Sequence, residues 1–141
     1  MRGYNDSSKP KDIRKYGIDA LVSDVKAVIE GLGRSQCDVL VAHDWGGAVG
    51  YAFCDQWPQM VGYYVALNIP HQSSFRDEQS KSWKQRLMSW YILFFQCPVL
   101  PEIFFRSSDL AFLDGIVRQM KYDDPKEISE AYKYAFRDPG N

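Results

Sequence analysis

Cysteine is scarce in this chain of 141 residues, and its three copies follow no regular spacing. An odd number of cysteines, at positions 37, 54 and 97, argues against the disulfide framework of small secreted domains. We therefore predict free thiols and a reducing compartment. Cys37 and Cys54 flank apolar segments, and a free cysteine packs as a small hydrophobic side chain, so we expect both thiols to be buried.

The chain also lacks any dense run of basic residues. Its 17 Lys and Arg residues are scattered and balanced by 18 Asp and Glu residues, which argues against nucleic-acid binding. An apolar, aromatic-rich uncharged stretch, residues 87–101, contains prolines and is shorter than the roughly 20 residues of a membrane-spanning helix. The opening residues, MRGYNDSSKPKD, have no apolar core and do not resemble a signal peptide. We expect a soluble chain.

Apolar periodicity predicts the secondary structure of the first half of the chain. From residue 18 the apolar residues recur at helical intervals, which predicts a helix that Gly33 stops. Residues 39–42 are apolar and include the β-branched Val39 and Val41, and they predict a fully buried strand. A helix over 46–56 and a strand over 62–70 follow. This alternation is typical of a parallel sheet with crossover helices.

The composition changes after residue 70, where short amphipathic helical segments with polar joints replace the strand patterns. We therefore predict an α/β protein in two parts: a partial core of parallel strands and crossover helices over 1–70, and a helical region over 71–141. Parallel sheets normally contain several strands and are covered on both faces. Two strands cannot shield each other's open edges, so we expect the chain to be part of a longer protein.

The turn between the first strand and the second helix has a distinctive arrangement of small residues. In Ala42-His43-Asp44-Trp45-Gly46, small residues stand two positions before and two positions after Asp44. This is the pattern of a sharp strand-to-helix turn that presents a nucleophile. Gly47 and Ala48 would let the helix pack closely. Backbone N–H groups at a helix N-terminus favour an ionised carboxylate there. The alternative interpretation is an ordinary N-capping Asp.

Four blocks of the sequence resemble, in order, those of the epoxide hydrolases of the α/β-hydrolase fold. They are RGYNDSSKP (2–10), AHDWGGAVGYAF (42–53), LNIPH (67–71) and YILFFQCPVLPE (91–102). The resemblance covers nearly the whole chain and is strongest to the animal branch that carries HDWG and FQ-x-P-x-LPE. It implies a partial α/β-hydrolase core with a nucleophile elbow, followed by a helical cap, or lid, that stops before the C-terminal core.

The resemblance also implies roles for individual residues. Asp44 would attack an epoxide carbon and form a covalent alkyl ester, and the Trp45 backbone N–H would stabilise the oxyanion when water hydrolyses that ester. Tyr91, in its Tyr-x-x-x-Phe-Gln block, would hydrogen-bond the epoxide oxygen from the lid. His43 and Pro70 would belong to the oxyanion and substrate-binding region. The alternative for the Trp45 and Tyr91 rings is ordinary packing. The implied partner is a small-molecule epoxide, without cofactor or metal.

The water-activating base of that family has no match in this sequence. The family uses a His oriented by an acid, whereas the only histidines here are His43, beside the nucleophile, and His71, after the second strand. We expect both to line the pocket or to pack, and their number and spacing do not suit a metal site. The second lid tyrosine of the family follows a Pro-Gly stretch, and DPGN stands at 138–141. We therefore expect the chain to lack turnover.

Two alternatives stay open. A haloalkane dehalogenase uses the same Asp nucleophile with halide-binding donors such as Trp N–H, and Trp83 and Trp90 are candidates for that role. A non-catalytic or truncated protein of the same fold would account for the unmatched base. For the longer parent protein, the resemblance implies an intracellular location, cytoplasmic or associated with the endoplasmic reticulum, with membrane association only through a further N-terminal segment.

Overall fold

The computed structural model describes residues 1–137, apart from the side chains at positions 78, 79, 85, 86, 106 and 137. The DPGN stretch, to which the expectation about the second lid tyrosine refers, lies outside the described residues. The chain divides into two compact units. The first unit is Met1–Arg2 with Pro10–Lys81, and the second is Gly3–Lys9 with the residues from Ser82 onward. The sequence-based division into core and cap, drawn at residue 70, stays a prediction.

The first unit alternates helices and strands. It contains a 3₁₀ turn (Ile13–Tyr16), α1 (Ile18–Gly31), β1 (Cys37–His43), α2 (Trp45–Gln56), a second 3₁₀ turn (Pro58–Met60), β2 (Val61–Leu67) and α3 (Gln72–Lys81). β1 and β2 pair in parallel, in a register that places Cys37 opposite Val61 and His43 opposite Leu67. The two predicted helices and the two predicted strands are therefore confirmed, with boundaries that shift by a few residues.

The end of α1 follows from a glycine. Gly33 has φ +69°, a left-handed conformation that glycine adopts without steric cost. Its N–H donates to the Glu30 carbonyl at 2.9 Å, and the Arg34 N–H donates to the Ile29 carbonyl at 3.2 Å. This pair of hydrogen bonds is a Schellman motif, which satisfies the last carbonyls of a helix. The prediction that Gly33 stops the helix is confirmed.

The core of the first unit lies between the two helices and one face of the sheet. Val22 and Ile29 of α1 pack with Val49 and Phe53 of α2 and with Met60, all at 6% exposure or less. Phe53 is fully buried, and burying a side chain of this kind stabilises a fold by about 1.5–3 kcal/mol. These contacts hold α2, and therefore the turn that precedes it, against the sheet.

The opposite face of the sheet is exposed, so the prediction of a fully buried β1 is wrong. Val39 and Val41 are 52% and 58% exposed, and Tyr63, which pairs with Val39, is 75% exposed. Side chains of a strand alternate between its two faces, and Leu40 points to the face that packs on the helices. An apolar run looks the same in a sequence whether both faces of the strand are covered or only one. In the described chain, one face of β1 is covered.

The three cysteines are free, as predicted, but each is only partly buried. The expectation of buried thiols at Cys37 and Cys54 is therefore wrong. Cys37 lies at the first position of β1 and packs against the edge of the core. Partial burial, with the nearby Asp55 carboxylate as a smaller cause, raises the pKa of the Cys54 thiol above its usual value. A thiol of raised pKa is a poor nucleophile at neutral pH.

From Ser82 onward, the described part of the second unit is built from helices. They are α4 (Trp83–Met88), α5 (Trp90–Gln96), α6 (Leu100–Arg106), a 3₁₀ turn (Ser107–Leu110), α7 (Ala111–Gln119) and α8 (Pro125–Arg137). Rings on α5, α6 and α7 form an aromatic cluster with neighbouring centroids 4.5–5.8 Å apart: Phe94, Phe95, Phe104, Phe105 and Phe112. No helix within residues 1–137 combines the length and the apolarity that crossing a membrane requires.

A polar network joins α7 to α8. Lys133 is 8% exposed, and its Nζ donates to Asp114 Oδ2 at 2.9 Å. The Ser129 hydroxyl, also buried, donates to Asp114 Oδ1. The hydrogen bonds from Ser129 and then Lys133 hold the pKa of the Asp114 carboxyl below its usual value. A buried ammonium group is tolerated in a fold when it is paired in this way.

Candidate active site

The backbone at Asp44 is strained. Asp44 stands between the end of β1 and the start of α2, with φ +52° and ψ −127°. Non-glycine residues rarely adopt positive φ, and such a conformation costs about 1–3 kcal/mol unless the surroundings impose it. One of those constraints is visible: the Asp44 N–H donates to the Leu67 carbonyl at 3.1 Å and continues the ladder between β1 and β2.

The capping geometry at Asp44 differs from that of an ordinary N-cap. An N-capping Asp normally has extended backbone angles and accepts a hydrogen bond from the second or third helical N–H. Asp44 has positive φ, and its Oδ2 accepts instead from the first helical N–H, that of Trp45, at 2.7 Å. The third helical N–H, that of Gly47, donates to the Asp44 backbone carbonyl at 2.8 Å. The Asp44 carboxylate is therefore held beside the turn through one of its two oxygens, Oδ2.

Glycines allow α2 to approach β2 and the segment that follows it. A Cβ added at Gly47 would lie 2.2 Å from Ile69 Cγ2, and one added at Gly50 would lie 2.6 Å from the Tyr64 ring. Close packing through Gly47 is thus confirmed. Gly46 differs, because a Cβ added there meets no atom of the described chain within 4 Å. The structure therefore contains no contact that explains a small residue at position 46.

The residues around the elbow are exposed in the described chain. Asp44, His43 and Pro70 are all exposed, and Trp45 is 60% exposed. Among the side chains that the structure describes, no ion pair involves Asp44. The carboxylate is thus oriented by the turn and not neutralised by a cation. The first unit on its own does not remove it from water.

Tyr91 lies in the second unit, on the first turn of α5. It is 43% exposed, and its ring meets the edge of Phe95 with the centroids 6.1 Å apart. Trp83 and Trp90 lie in the same unit and are 72% and 63% exposed. The roles of Tyr91, Trp45, His43 and Pro70 stay predictions.

Sequence reasoning missed a hydrogen bond that fixes the first turn of α2. The Tyr64 hydroxyl on β2 donates to the Gly47 carbonyl at 2.7 Å. Tyr51 stands between Tyr64 and His71, with ring centroids 4.9 Å from each and near-perpendicular planes. His71 Nδ1 lies 2.8 Å from the Ser73 hydroxyl. Burial, with the neighbouring Tyr51 as a smaller cause, raises the pKa of Tyr64, so its hydroxyl stays protonated.

The described residues contain no group of three or more His, Cys, Asp or Glu side chains placed to hold a metal ion.

Comparison with known proteins identifies the family. The family model for the alpha/beta hydrolase fold matches residues 1–121. The chain belongs to this family. The predicted α/β-hydrolase fold, with a short parallel sheet followed by helices, is confirmed.

The relatives of this α/β-hydrolase chain include epoxide hydrolases. It is 41% identical over 144 residues to Epoxide hydrolase 1 of Caenorhabditis elegans, which covers 96% of this chain and 35% of that protein. It is 34% identical over 148 residues to Epoxide hydrolase 4 of Homo sapiens, covering 99% and 40% of the two chains. The crystal structure of a Bacillus megaterium epoxide hydrolase in complex with an inhibitor superposes with a TM-score of 0.87 at 33% identity, covering 99% and 50%.

These comparisons confirm the resemblance to epoxide hydrolases that the four sequence blocks indicate. The chain spans between a third and a half of the length of the relatives named above, 35% to 50%.

Proposed function

We propose that the chain carries the nucleophile of an epoxide hydrolase, which converts an epoxide and water into a vicinal diol through an ester on Asp44. The geometry at Asp44 is the main support. Its Oδ2 accepts the Trp45 N–H at 2.7 Å, whereas its backbone holds an unusual positive φ that an ordinary helix cap does not need. One carboxylate oxygen is therefore held, and the other, Oδ1, is the atom we assign to the attack.

The proposed first step forms one bond and breaks another. Asp44 Oδ1 attacks an epoxide carbon as the carbon–oxygen bond of the strained ring breaks. The leaving oxygen takes a proton from the Tyr91 hydroxyl, so the ring opens to an alcohol and not to a free alkoxide, and the resulting Tyr91 phenolate regains a proton from bulk water. The product is a hydroxyalkyl ester of Asp44. In that ester Oδ2 is the carbonyl oxygen, and it already accepts the Trp45 N–H.

The proposed second step is hydrolysis of the ester. Water adds to the carbonyl carbon, the negative charge develops on Oδ2, and the Trp45 N–H stabilises that charge. Collapse of this intermediate breaks the bond between the carbonyl carbon and Oδ1, which takes a proton and leaves as a hydroxyl oxygen of the diol, while the oxygen from water restores the carboxylate. The step also needs a base to take a proton from water. We propose that neither histidine supplies it, since His71 contacts Ser73 and Tyr51 and His43 directly precedes the elbow. The 141-residue chain would then stop at the ester.

The experiment is incubation of the whole chain with styrene oxide, followed by intact-mass measurement. We expect a single adduct with the mass of one epoxide, and no continuing diol production. Asp44→Asn should abolish the adduct, and Asp38→Asn, at an exposed position of β1, is the matched control that should retain it. Sustained diol formation would contradict the absence of turnover, and equal labelling of Asp44→Asn would contradict the nucleophile.

Thiol labelling is the main competing reaction, because the chain has three free cysteines. The two adducts differ in chemistry: an aspartyl ester is cleaved by hydroxylamine, whereas a thioether is not. We expect the adduct to disappear after hydroxylamine treatment. The same experiment with a bromoalkane tests the haloalkane dehalogenase alternative. Ester formation with release of bromide, and none with styrene oxide, would favour that alternative.

A further inference from the structure

Tyr64 is placed to control the turn that bears Asp44. It lies on β2 opposite Leu40, on the sheet face that packs against the helices. Its hydroxyl donates to the Gly47 carbonyl at 2.7 Å. We propose that Tyr64 is a positioning residue that holds the first turn of α2, and through it the Asp44 carboxylate, in the orientation needed for attack. The catalytic part of this inference rests on the proposed function, whereas its structural part does not.

The path from Tyr64 to Asp44 consists of two hydrogen bonds. Tyr64 donates to the carbonyl oxygen of Gly47, and the N–H of Gly47 donates to the backbone carbonyl of Asp44 at 2.8 Å. The carbonyl of Gly47 is therefore hydrogen-bonded to the sheet, and its N–H is hydrogen-bonded to the elbow. A carbonyl oxygen has two lone pairs, so this bond can coexist with the helical bond that α2 makes to the same oxygen.

Gly50 makes room for the Tyr64 side chain. An added Cβ at position 50 would lie 2.6 Å from Tyr64 Cε2, 2.6 Å from its hydroxyl oxygen and 2.8 Å from Cζ. Glycine is an unfavourable residue inside a helix, and here its missing side chain is the space that the tyrosine ring fills. The pairing of a partly buried hydroxyl with a glycine cradle indicates a specific contact rather than incidental packing.

The strained backbone at Asp44 explains why the hydrogen bond from Tyr64 to Gly47 matters. A positive φ at a non-glycine residue persists only where neighbouring structure imposes it. Without the Tyr64 hydroxyl, the first turn of α2 loses the side-chain hydrogen bond that links its Gly47 carbonyl to β2, and Asp44 can relax. The carboxylate would then sample more orientations, and the fraction aimed at a bound epoxide would fall. Binding of the epoxide itself would not change.

The first test measures amide hydrogen exchange by NMR in the whole chain. Tyr64→Phe keeps the ring and removes only the hydroxyl. We expect the Trp45 and Gly47 amides to exchange about three- to tenfold faster, which is the range that loss of one hydrogen bond produces. Tyr63→Phe is the matched control, since Tyr63 is 75% exposed on the other face, and it should change exchange less than about twofold. Unchanged exchange in Tyr64→Phe overturns the proposal.

The second test measures ester formation from styrene oxide at several concentrations. Tyr64→Phe should lower the maximum rate about three- to tenfold and leave the half-saturating concentration unchanged. Gly50→Ala, which pushes the hydroxyl away without removing it, should have the same effect, and Tyr63→Phe should have none. A normal maximum rate in Tyr64→Phe overturns the catalytic part. If the unaltered chain forms no ester, the proposed function fails, and the exchange experiment alone decides the role of Tyr64.

Discussion

The glycine pair at the start of α2 gives a sharp test of how the elbow is packed. Gly46 and Gly47 are neighbours in the first helical turn, yet a Cβ added at 46 meets nothing within 4 Å and one added at 47 lies 2.2 Å from Ile69 Cγ2. Carbon atoms in contact lie about 3.5–4.0 Å apart, so Gly47→Ala creates an overlap of about 1.3 Å or more. Ile69 is β-branched and has little rotamer freedom with which to relieve it.

The magnitude follows from two opposing effects. Replacing glycine by alanine inside a helix stabilises it by up to about 1 kcal/mol. Overpacking costs about 1–3 kcal/mol. Gly46→Ala carries only the first effect and should stabilise the chain by about 0.5–1 kcal/mol. Gly47→Ala carries both, so the two variants should differ in free energy of unfolding by about 1–3 kcal/mol.

The assay is urea denaturation of both variants, with unfolding monitored by circular dichroism. The difference between their free energies of unfolding cancels the helix-propensity effect, which both variants share. What is left is the effect of the overlap with Ile69. In the Gly47→Ala background, Ile69→Ala should then cost less than it does in the unaltered chain, because it relieves the overlap. Equal midpoints for Gly46→Ala and Gly47→Ala would refute the packing described for α2 and the segment after β2.

Two further predictions concern the cores of the two units. Phe53→Ala should destabilise the first unit by about 3–5 kcal/mol, because the ring is fully buried between α1, α2 and the sheet; a loss below about 1 kcal/mol in urea denaturation would contradict that core. Because the pKa of Asp114 is lowered in the folded state, its hydrogen bonds contribute to the free energy of unfolding above the carboxyl's ordinary pKa. That stabilisation is lost as the pH falls through the folded-state pKa. Acid denaturation of the α7–α8 pair should therefore be less steep in Asp114→Asn, and an unchanged acid profile would contradict the role of the Ser129 and Lys133 hydrogen bonds.

Much of the element order of the first unit could be predicted from local pattern. Periodicity located α1 and the strands, and Gly33 marked the end of α1 because a left-handed residue at that position favours glycine. The small residues around Asp44 indicated a sharp turn, and the positive φ there agrees with one. These features depend on residues close together in the sequence, which is why single-sequence reasoning reached them.

Features that depend on distant residues could not be predicted. The exposure of Val39 and Val41 reflects which helices cover the sheet, and an apolar run contains no such information. The Tyr64 hydroxyl meets the carbonyl of Gly47, 17 positions earlier, and nothing local to either residue indicates the pairing. Gly50 likewise becomes interpretable only once the Tyr64 ring is seen beside it.

The central claim is that the Asp44 carboxylate forms a bond to carbon. Peptide mapping by tandem mass spectrometry of the chain after incubation with styrene oxide tests it most directly. We expect the added mass on Asp44, in the peptide that contains His43 and Trp45, and its loss on hydroxylamine treatment. An adduct found only on cysteine or histidine, or no adduct under conditions where the chain is folded, would contradict the claim.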